Sequence, residues 1–292
     1  MKILILGASG MIGSNIYKFF FLKKKFKIYG TYYTKSLYNY KKKNIKNNLI
    51  FFDVYISNLE LLINKINPNV IINCIGITKK IINKFSVKKV FDVNSSFVHK
   101  LKKRCDKNNI KLIQISTDCV FDGKKGNYLE YSKPNATDVY GISKLKSEFI
   151  SRKHLLIRTS TIGHEIRTKY GLLEWFLKKK TRCYGFCNAF FSGITCLKLA
   201  EILFLIIKNL NKFNGIFHIS GPKISKYELL LKIRKIYKKK ISILKDYSLI
   251  IDRSLNNSKM ISKIPQVKLG LSWDNMLKKN LKFNKIKLNE LF

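Results

Sequence analysis

The chain is poor in proline, arginine and acid. Four prolines in 292 residues leave long stretches free to form helices and strands, and exclude a proline-rich linker or repeat. Seven arginines stand against 51 lysines. A surface that reads bases or phosphates specifically would use the planar, bidentate guanidinium more heavily, so specific nucleic-acid binding is not expected. With only 17 Asp and Glu the formal net charge reaches +41. The lysines are spread along the whole chain, and the other favoured residues (Asn, Ile, Phe, Tyr) share A/T-rich codons. The charge therefore reads as compositional bias, which would still steer anionic ligands inward. The longest later apolar run, Ile202 to Ile207, is closed by Glu201 and Lys208, too short to span a bilayer; no membrane partner is expected. The N-terminal apolar run is four residues long and turns directly into glycines, so it reads as a core strand and not a signal peptide. Six scattered cysteines (Cys74, Cys105, Cys119, Cys183, Cys187, Cys196) lack the paired spacing of a zinc site. They imply reduced thiols in a cytoplasmic protein, with no metal site.

What the sequence does contain is organised around its first fifteen residues. Ile3 to Leu6 is an unbroken apolar run, followed by Gly7-Ala8-Ser9-Gly10-Met11-Ile12-Gly13 and then a helical stretch. Strand, glycine turn and helix form the layout of a dinucleotide-binding βαβ unit. Gly7 makes the tight turn, Gly10 lets backbone amides approach a pyrophosphate, and Gly13 lets the helix lie close on the strand. The helix N-terminus presents unpaired N–H groups and a positive dipole end to that anion.

Further along, apolar strands alternate with helices. Strands are expected at 26–32, 49–52, 70–75, 112–116 and 154–158, and helices at 11–24, 56–66 and 87–108. Residues 35–48 read as a basic surface loop or weak helix. Strands apolar throughout argue a parallel sheet covered on both faces. The expected fold is α/β, a Rossmann-like doubly wound parallel sheet with a small C-terminal lobe. The nucleotide-binding domain is placed at 1–165 and the lobe, mainly substrate-binding, at 166–292, with some segments returning to the main sheet. There, helices are expected at 171–179, 195–209, 225–238 and 273–280, and strands at 215–220 and 241–244.

The chemistry is expected at Asp138-Val139-Tyr140-Gly141-Ile142-Ser143-Lys144, the start of a helix with Thr137 or Asp138 as N-cap. Val139, Ile142, Leu145 and Phe149 mark its expected buried stripe. Tyr140 and Lys144 are one turn apart on one face. A nearby ammonium would lower the phenol from its usual value near ~10 and let Tyr140 donate a proton to a carbonyl while a nicotinamide delivers hydride. Lys144 can also reach the ribose hydroxyls of the cofactor. Tyr38 and Lys42 match the same spacing by accident in a lysine-rich loop. Upstream, Ser116-Thr117-Asp118-Cys119-Val120-Phe121-Asp122-Gly123 follows directly on a strand. A hydroxyl there points into the ligand crevice of a doubly wound sheet, so Thr117 is expected to hold the substrate carbonyl beside Tyr140. His99, His154 and His218 read as structural, His164 as a loop residue within reach of cofactor or substrate, and Trp175 as core.

The G-x-x-G-x-x-G spacing resembles that of the extended short-chain dehydrogenases/reductases. With S-T-D-x-V-F-D-G, Y-G-x-S-K, Arg158-Thr159-Ser160 and Ser254-Leu255-Asn256-Asn257-Ser258-Lys259, the chain resembles the dTDP-4-dehydrorhamnose reductase family within that superfamily, most closely over residues 1 to about 165. The resemblance implies NADPH-dependent reduction of the 4-keto group of a nucleotide-linked deoxysugar in surface polysaccharide biosynthesis. Thr117, Tyr140 and Lys144 would be the catalytic triad. Gly7, Gly10, Met11 and Ile12 would lie at the pyrophosphate, and Asp53 and Val54 at the adenine. A homodimer is the expected assembly. Cys119 stands where these reductases usually carry tyrosine, and Gly185 to Gly193 replaces their usual substrate loop, which leaves the particular sugar open. The alternatives are a non-catalytic NADP-binding regulatory subunit of the same fold, and a nucleotide-sugar epimerase or dehydratase. An NAD-specific unit places an acid at the end of its second strand. Here that strand ends Thr31-Tyr32-Tyr33-Thr34-Lys35, so Thr31, Tyr33, Thr34 and Lys35 are expected to face a 2′-phosphate. NADP(H) is the expected cofactor, with NAD(H) the alternative.

Overall fold

Strand β1 (Lys2–Leu6) shows why the first apolar run is unbroken. Ile3 and Ile5 point into one hydrophobic core, Leu4 and Leu6 into another on the opposite face. A strand buried on both faces needs no polar alternation. The computed structural model describes residues 1–33, 48–166 and 169–286; the expected basic loop lies almost wholly outside them.

From β1 the chain passes through the glycine turn into α1 (Met11–Lys23), β2 (Lys27–Tyr32), β3 (Leu49–Phe51), α2 (Leu59–Ile66) and β4 (Val70–Asn73). Helix α2 begins three residues later than expected, because the Asn58 side chain accepts from the amides of Glu60 and Leu61 and fixes the start there. The long helix expected at 87–108 is interrupted. It runs as α3 (Val87–Phe91), a π-helical turn (Asp92–Ser96) and α4 (Phe97–Lys107). Strand β5 (Lys111–Ile115), α5 (Val139–Leu145) and β6 (Leu155–Thr159) follow.

After β6 come β7 (Thr161–Ile162), α6 (Leu172–Lys178), β8 (Arg182–Phe186), β9 (Ala189–Phe191), β10 (Ile194–Thr195) and α7 (Cys196–Lys208). Then come β11 (Gly215–Ile219), β12 (Ile224–Ser225), α8 (Lys226–Ile236), β13 (Ser242–Asp246), β14 (Ile251–Asp252), α9 (Ser258–Lys263) and α10 (Trp273–Lys285). The central sheet has the order β3-β2-β1-β4-β5-β6-β11 and is parallel throughout. The strand order reverses between β1 and β4, the switch point at which doubly wound sheets open a ligand crevice. Strand β11, from the C-terminal half, completes this sheet. Three small sheets stand apart from it: β12-β9-β14, β10-β7 and β13-β8. The short strands β8 and β9, unforeseen in the sequence, build this lobe. Trp175 packs partly buried against the main core.

Candidate active site

The strand ends at the switch point open a cleft of about 690 Å³. Its floor is the glycine turn. Gly7 adopts φ +75°, a left-handed conformation that disfavours any side chain. A Cβ on Gly13 would sit 2.2 Å from the Gly7 carbonyl oxygen, so Gly13 is required by helix-on-strand packing. A Cβ on Gly10 would meet only that oxygen, at 3.4 Å; the protein itself leaves room there. No side chain caps α1 and no acid stands in its first turn. Its leading amides, at Met11 and Ile12 in the cleft wall, are thus available to an anion. The cradle fits a dinucleotide pyrophosphate.

Gly7, Gly10, Met11, Ile12, Tyr33, Asp53 and Val54 all border this cleft. Asp53 Oδ1 accepts the Tyr55 amide at 2.8 Å. Thr31 also borders the cleft, but it is 1% exposed and its Oγ1 accepts the Gly7 amide at 2.9 Å. That bond ties the glycine turn to β2. Thr34, Lys35, Tyr38 and Lys42 lie outside the described residues. The sequence reading missed part of the wall. Tyr55, Ile77, Phe85 and Lys89 line it, with the Lys89 ammonium 5.3 Å from the Tyr55 ring centroid. Nothing in the sequence distinguishes Lys89 from fifty other lysines.

Thr117, Tyr140 and Lys144 do not line this cleft; they stand together where α5 meets the turn after β5. Asp138 caps α5 by accepting the Gly141 amide at 2.9 Å, and its carboxylate pairs with Lys79 at 2.7 Å. The expected apolar stripe is not what α5 buries. Val139 is exposed and Ile142 and Leu145 are only partly covered, whereas Gly141, Ser143, Lys144 and Ser147 are buried. Small residues let the helix backbone approach closely. A Cβ on Gly141 would fall 2.3 Å from the Cys119 carbonyl oxygen. Asn94, fully buried in the π-helical turn, donates to Ser143 Oγ and to the Ile77 carbonyl, both at 3.0 Å, and accepts the Ile77 amide at 2.7 Å. Three such bonds from one side chain account for a local rewinding that periodicity does not reveal.

Thr117 ends the strand segment as expected, 7% exposed. Its hydroxyl donates to Asp118 Oδ1 at 3.0 Å and accepts the Cys119 amide at 3.2 Å, and it lies near enough to Tyr140 to bear on the phenol. Asp118, buried beside it, was not singled out in the sequence. The Tyr140 phenol is held well above its ordinary value, not below it. Burial disfavours the phenolate, Cys119, Asp118 and Asp138 add to the effect, and Thr117 opposes them. The Lys144 ammonium is turned instead to the Ile115 carbonyl, at 2.8 Å. Burial lowers Lys144 to about 8, against the opposing influence of Glu148 and Cys74. The sequence expectation of a lowered phenol is thus reversed in this state: Tyr140 holds its proton firmly.

The histidines serve structure. His154 and His218 are fully buried. His154 accepts the Leu112 amide, and His218 bonds to the Tyr128 carbonyl. His99 bonds to the Lys146 carbonyl. His164 lies between Glu174, 2.7 Å away, and the Tyr237 hydroxyl, 3.0 Å away. It is not a wall of the cleft. Among the described residues no cluster of three metal-ligating side chains occurs, and no helix is long and apolar enough to cross a membrane.

Known proteins share this architecture. The dTDP-4-dehydrorhamnose reductase of Aggregatibacter actinomycetemcomitans is 26% identical over 243 residues, 80% of this chain and 78% of that protein. A crystal structure of a hypothetical dTDP-4-dehydrorhamnose reductase from Sulfolobus tokodaii superimposes with a TM-score of 0.75 at 28% identity, covering 90% of this chain and 94% of that one. The fold is also that of the dTDP-4-dehydrorhamnose reductase from Bacillus anthracis in complex with NADP, with a TM-score of 0.75 at 19% identity over 96% of this chain and 98% of that one. The RmlD substrate binding domain family matches residues 1–246, and the chain belongs to that family.

Proposed function

We propose that this protein is an NADPH-dependent oxidoreductase that reduces the 4-keto group of a nucleotide-linked deoxysugar, a cytoplasmic step of surface polysaccharide biosynthesis. The observation that carries the reading is Tyr140 and Lys144 one turn apart on α5, with Thr117 in the turn after β5 beside them, in a sheet whose switch point holds an uncapped helix N-terminus. The reductase names of the relatives point the same way.

When bound, the nicotinamide supplies hydride to the carbonyl carbon. The amides of Met11 and Ile12 would hold the pyrophosphate, Asp53 and Val54 the adenine, and Lys144 the ribose hydroxyls. Tyr140 contributes the proton. Its raised phenol keeps that proton until a carbonyl oxygen gaining negative charge draws it off. Thr117, beside the phenol and tied to Asp118, would help place the substrate carbonyl against Tyr140. The absence of an acid at the end of β2 leaves nothing to repel a 2′-phosphate, which favours NADPH over NADH. The domain division at residue 165 and a homodimeric state belong to the same reading.

A panel of 4-keto sugar nucleotides, each offered with NADPH and with NADH, tests it. Loss of NADPH absorbance with at least one dTDP- or UDP-linked ketone is expected, with higher kcat/KM for NADPH. Tight NADPH binding with no turnover on any ketone would point to the regulatory alternative.

A further inference from the structure

Residues 115–119 lie alongside α5 and the turn that closes it, and three ties join the two segments. One is steric: the space a Cβ on Gly141 would need is filled by the Cys119 carbonyl. In the second, the Lys144 ammonium donates to the Ile115 carbonyl at 2.8 Å. In the third, the Ser116 hydroxyl donates to Glu148 Oε1 at 2.7 Å. The first tie is packing, and the second engages a residue of the site itself. The third joins two residues to which the chemistry assigns no step, and neither of them lines the cofactor cleft.

Glu148 follows α5, its amide donating to the Leu145 carbonyl at 2.9 Å. Arg158 on β6 locks its side chain. Nη2 donates to Oε2 at 2.7 Å, and Nε donates to Oε1 at 3.0 Å and to Oε2 at 3.2 Å. The two side chains are 7% and 3% exposed. Arg158 is fixed in turn: Nη1 donates to the Glu130 carbonyl at 3.2 Å, and the guanidinium lies over the Phe121 ring, 5.1 Å from the centroid. With Ser116 the carboxylate accepts four bonds, which fill its lone pairs and fix its orientation. A buried ion pair is a poor source of stability, since apolar residues of similar volume often serve as well. What an apolar pair could not supply is an acceptor held still at the Ser116 hydroxyl. Ser116 is itself buried, and its amide donates to the Ile157 carbonyl at 2.7 Å. Backbone and side chain are thus both tied at the residue that precedes Thr117.

We propose that Glu148, locked by Arg158, is a positioning residue that acts through Ser116 to hold the turn carrying Thr117 against the helix carrying Tyr140. Its part in catalysis rests on the reductase reading given above; its hold on the turn does not.

The test uses the full chain and its Ser116→Ala and Ser116→Cys variants, which leave the Arg158–Glu148 pair intact. Amide hydrogen exchange reports the turn directly, because the Cys119 amide is bonded to Thr117 Oγ1 and the Phe121 amide to the Asp118 carbonyl. Ser116→Ala is expected to speed exchange at those two amides by about tenfold and to lower kcat by about tenfold, the scale of one net hydrogen bond. Substrate KM and NADPH affinity should stay within about threefold, with the urea midpoint close to wild type. Ser116→Cys, of similar size but a weak donor, should match it; recovery in that variant would show that volume matters and not the bond, and would overturn the proposal. Unchanged exchange in the turn, or kcat within about twofold of wild type, also overturns it. Should Ser116→Ala fail to fold, Ser116→Cys carries the same measurements, and failure of both would make the tie an element of folding and overturn its positioning role. If the wild type reduces no ketone, the reductase reading fails, and exchange alone decides the tie: faster in Ser116→Ala upholds it, unchanged removes it.

Discussion

A single methyl group at position 141 separates positioning from chemistry. In Gly141→Ala the new Cβ would lie 2.3 Å from the Cys119 carbonyl oxygen and 2.8 Å from the Ala136 Cβ. Ordinary contact begins near 3.4 Å, so α5 and the turn must part by about 1 Å; neither neighbour is the free end of a flexible side chain. The Cys119 amide is tied to Thr117 Oγ1 and Tyr140 precedes Gly141 on α5, so the displacement acts between the two groups that must meet one carbonyl. A shift of that size costs about 10²-fold in rate, and overpacking of a tight contact costs roughly 1–3 kcal/mol in stability. Kinetics on the reduced ketone, NADPH titration by fluorescence and urea unfolding should show kcat down about 10²-fold, NADPH affinity little changed and a modest stability loss. A variant with kcat within about threefold of wild type would refute the reasoning, because α5 and the turn would then not need their present separation.

Other substitutions address neighbouring links. Tyr140→Phe keeps the ring and removes the acid, and should lower kcat by roughly 10²–10⁴-fold with NADPH affinity retained; near-normal turnover would end the assignment. Gly10→Ala should leave the melting temperature of the ligand-free protein unchanged and weaken NADPH binding by calorimetry, whereas Gly13→Ala, with its 2.2 Å clash, should lower stability by about 1–3 kcal/mol. His218 is held at about 3 against an ordinary 6.5, first by burial and then by Arg158. The unfolded chain therefore binds its proton first, and stability falls as pH drops from 6.5 towards 3, by up to about 5 kcal/mol in order of magnitude. Urea midpoints at pH 7 and pH 4 should be further apart in the wild type than in His218→Gln; equal spacing would show that His218 takes no part.

The fold was legible in the sequence wherever burial on two sheet faces leaves unbroken apolar runs, as in β1, β4, β5 and β6. The glycine turn was legible because each glycine answers a separate steric demand. The stretches that misled are those whose packing is polar. Helix α5 has an apolar periodicity at Val139, Ile142 and Leu145, yet it buries Gly141, Ser143 and Lys144, because close approach of backbones, not apolar area, docks it. The π-helical turn depends on three hydrogen bonds from Asn94 to segments 17 and 49 residues away, which no local window contains. Thr31 offers a hydroxyl that looks available in the sequence, but the Gly7 amide claims it in the folded chain. Strands β8 and β9 escape notice because each is short and alternates only partly, and their partners β13, β12 and β14 arrive tens of residues later.

Lys144 shows how such polar packing trades stability for chemistry. Its ammonium is 5% exposed and lowered from 10.5 to about 8, chiefly by burial. The folded state therefore disfavours the charged form that the unfolded chain prefers, by on the order of 3 kcal/mol at pH 7. That penalty is complete below about pH 8, shrinks as pH rises towards 10.5 and vanishes above it. Lys144→Met removes the charge and keeps most of the apolar stem. The Ile115 carbonyl it would abandon also accepts from Gln114 Nε2 at 2.9 Å, and Glu148 keeps its bonds to Arg158 and Ser116. No buried group is left without a partner, so the usual cost of truncating a buried ion does not arise. The variant should unfold at higher urea than the wild type at pH 7, with the gap narrowing by pH 10, and should lose ketone reduction by at least about 10²-fold. A variant less stable than wild type at pH 7 would mean that the Ile115 and Glu148 contacts outweigh the burial penalty, and that Lys144 serves the fold as well as the site.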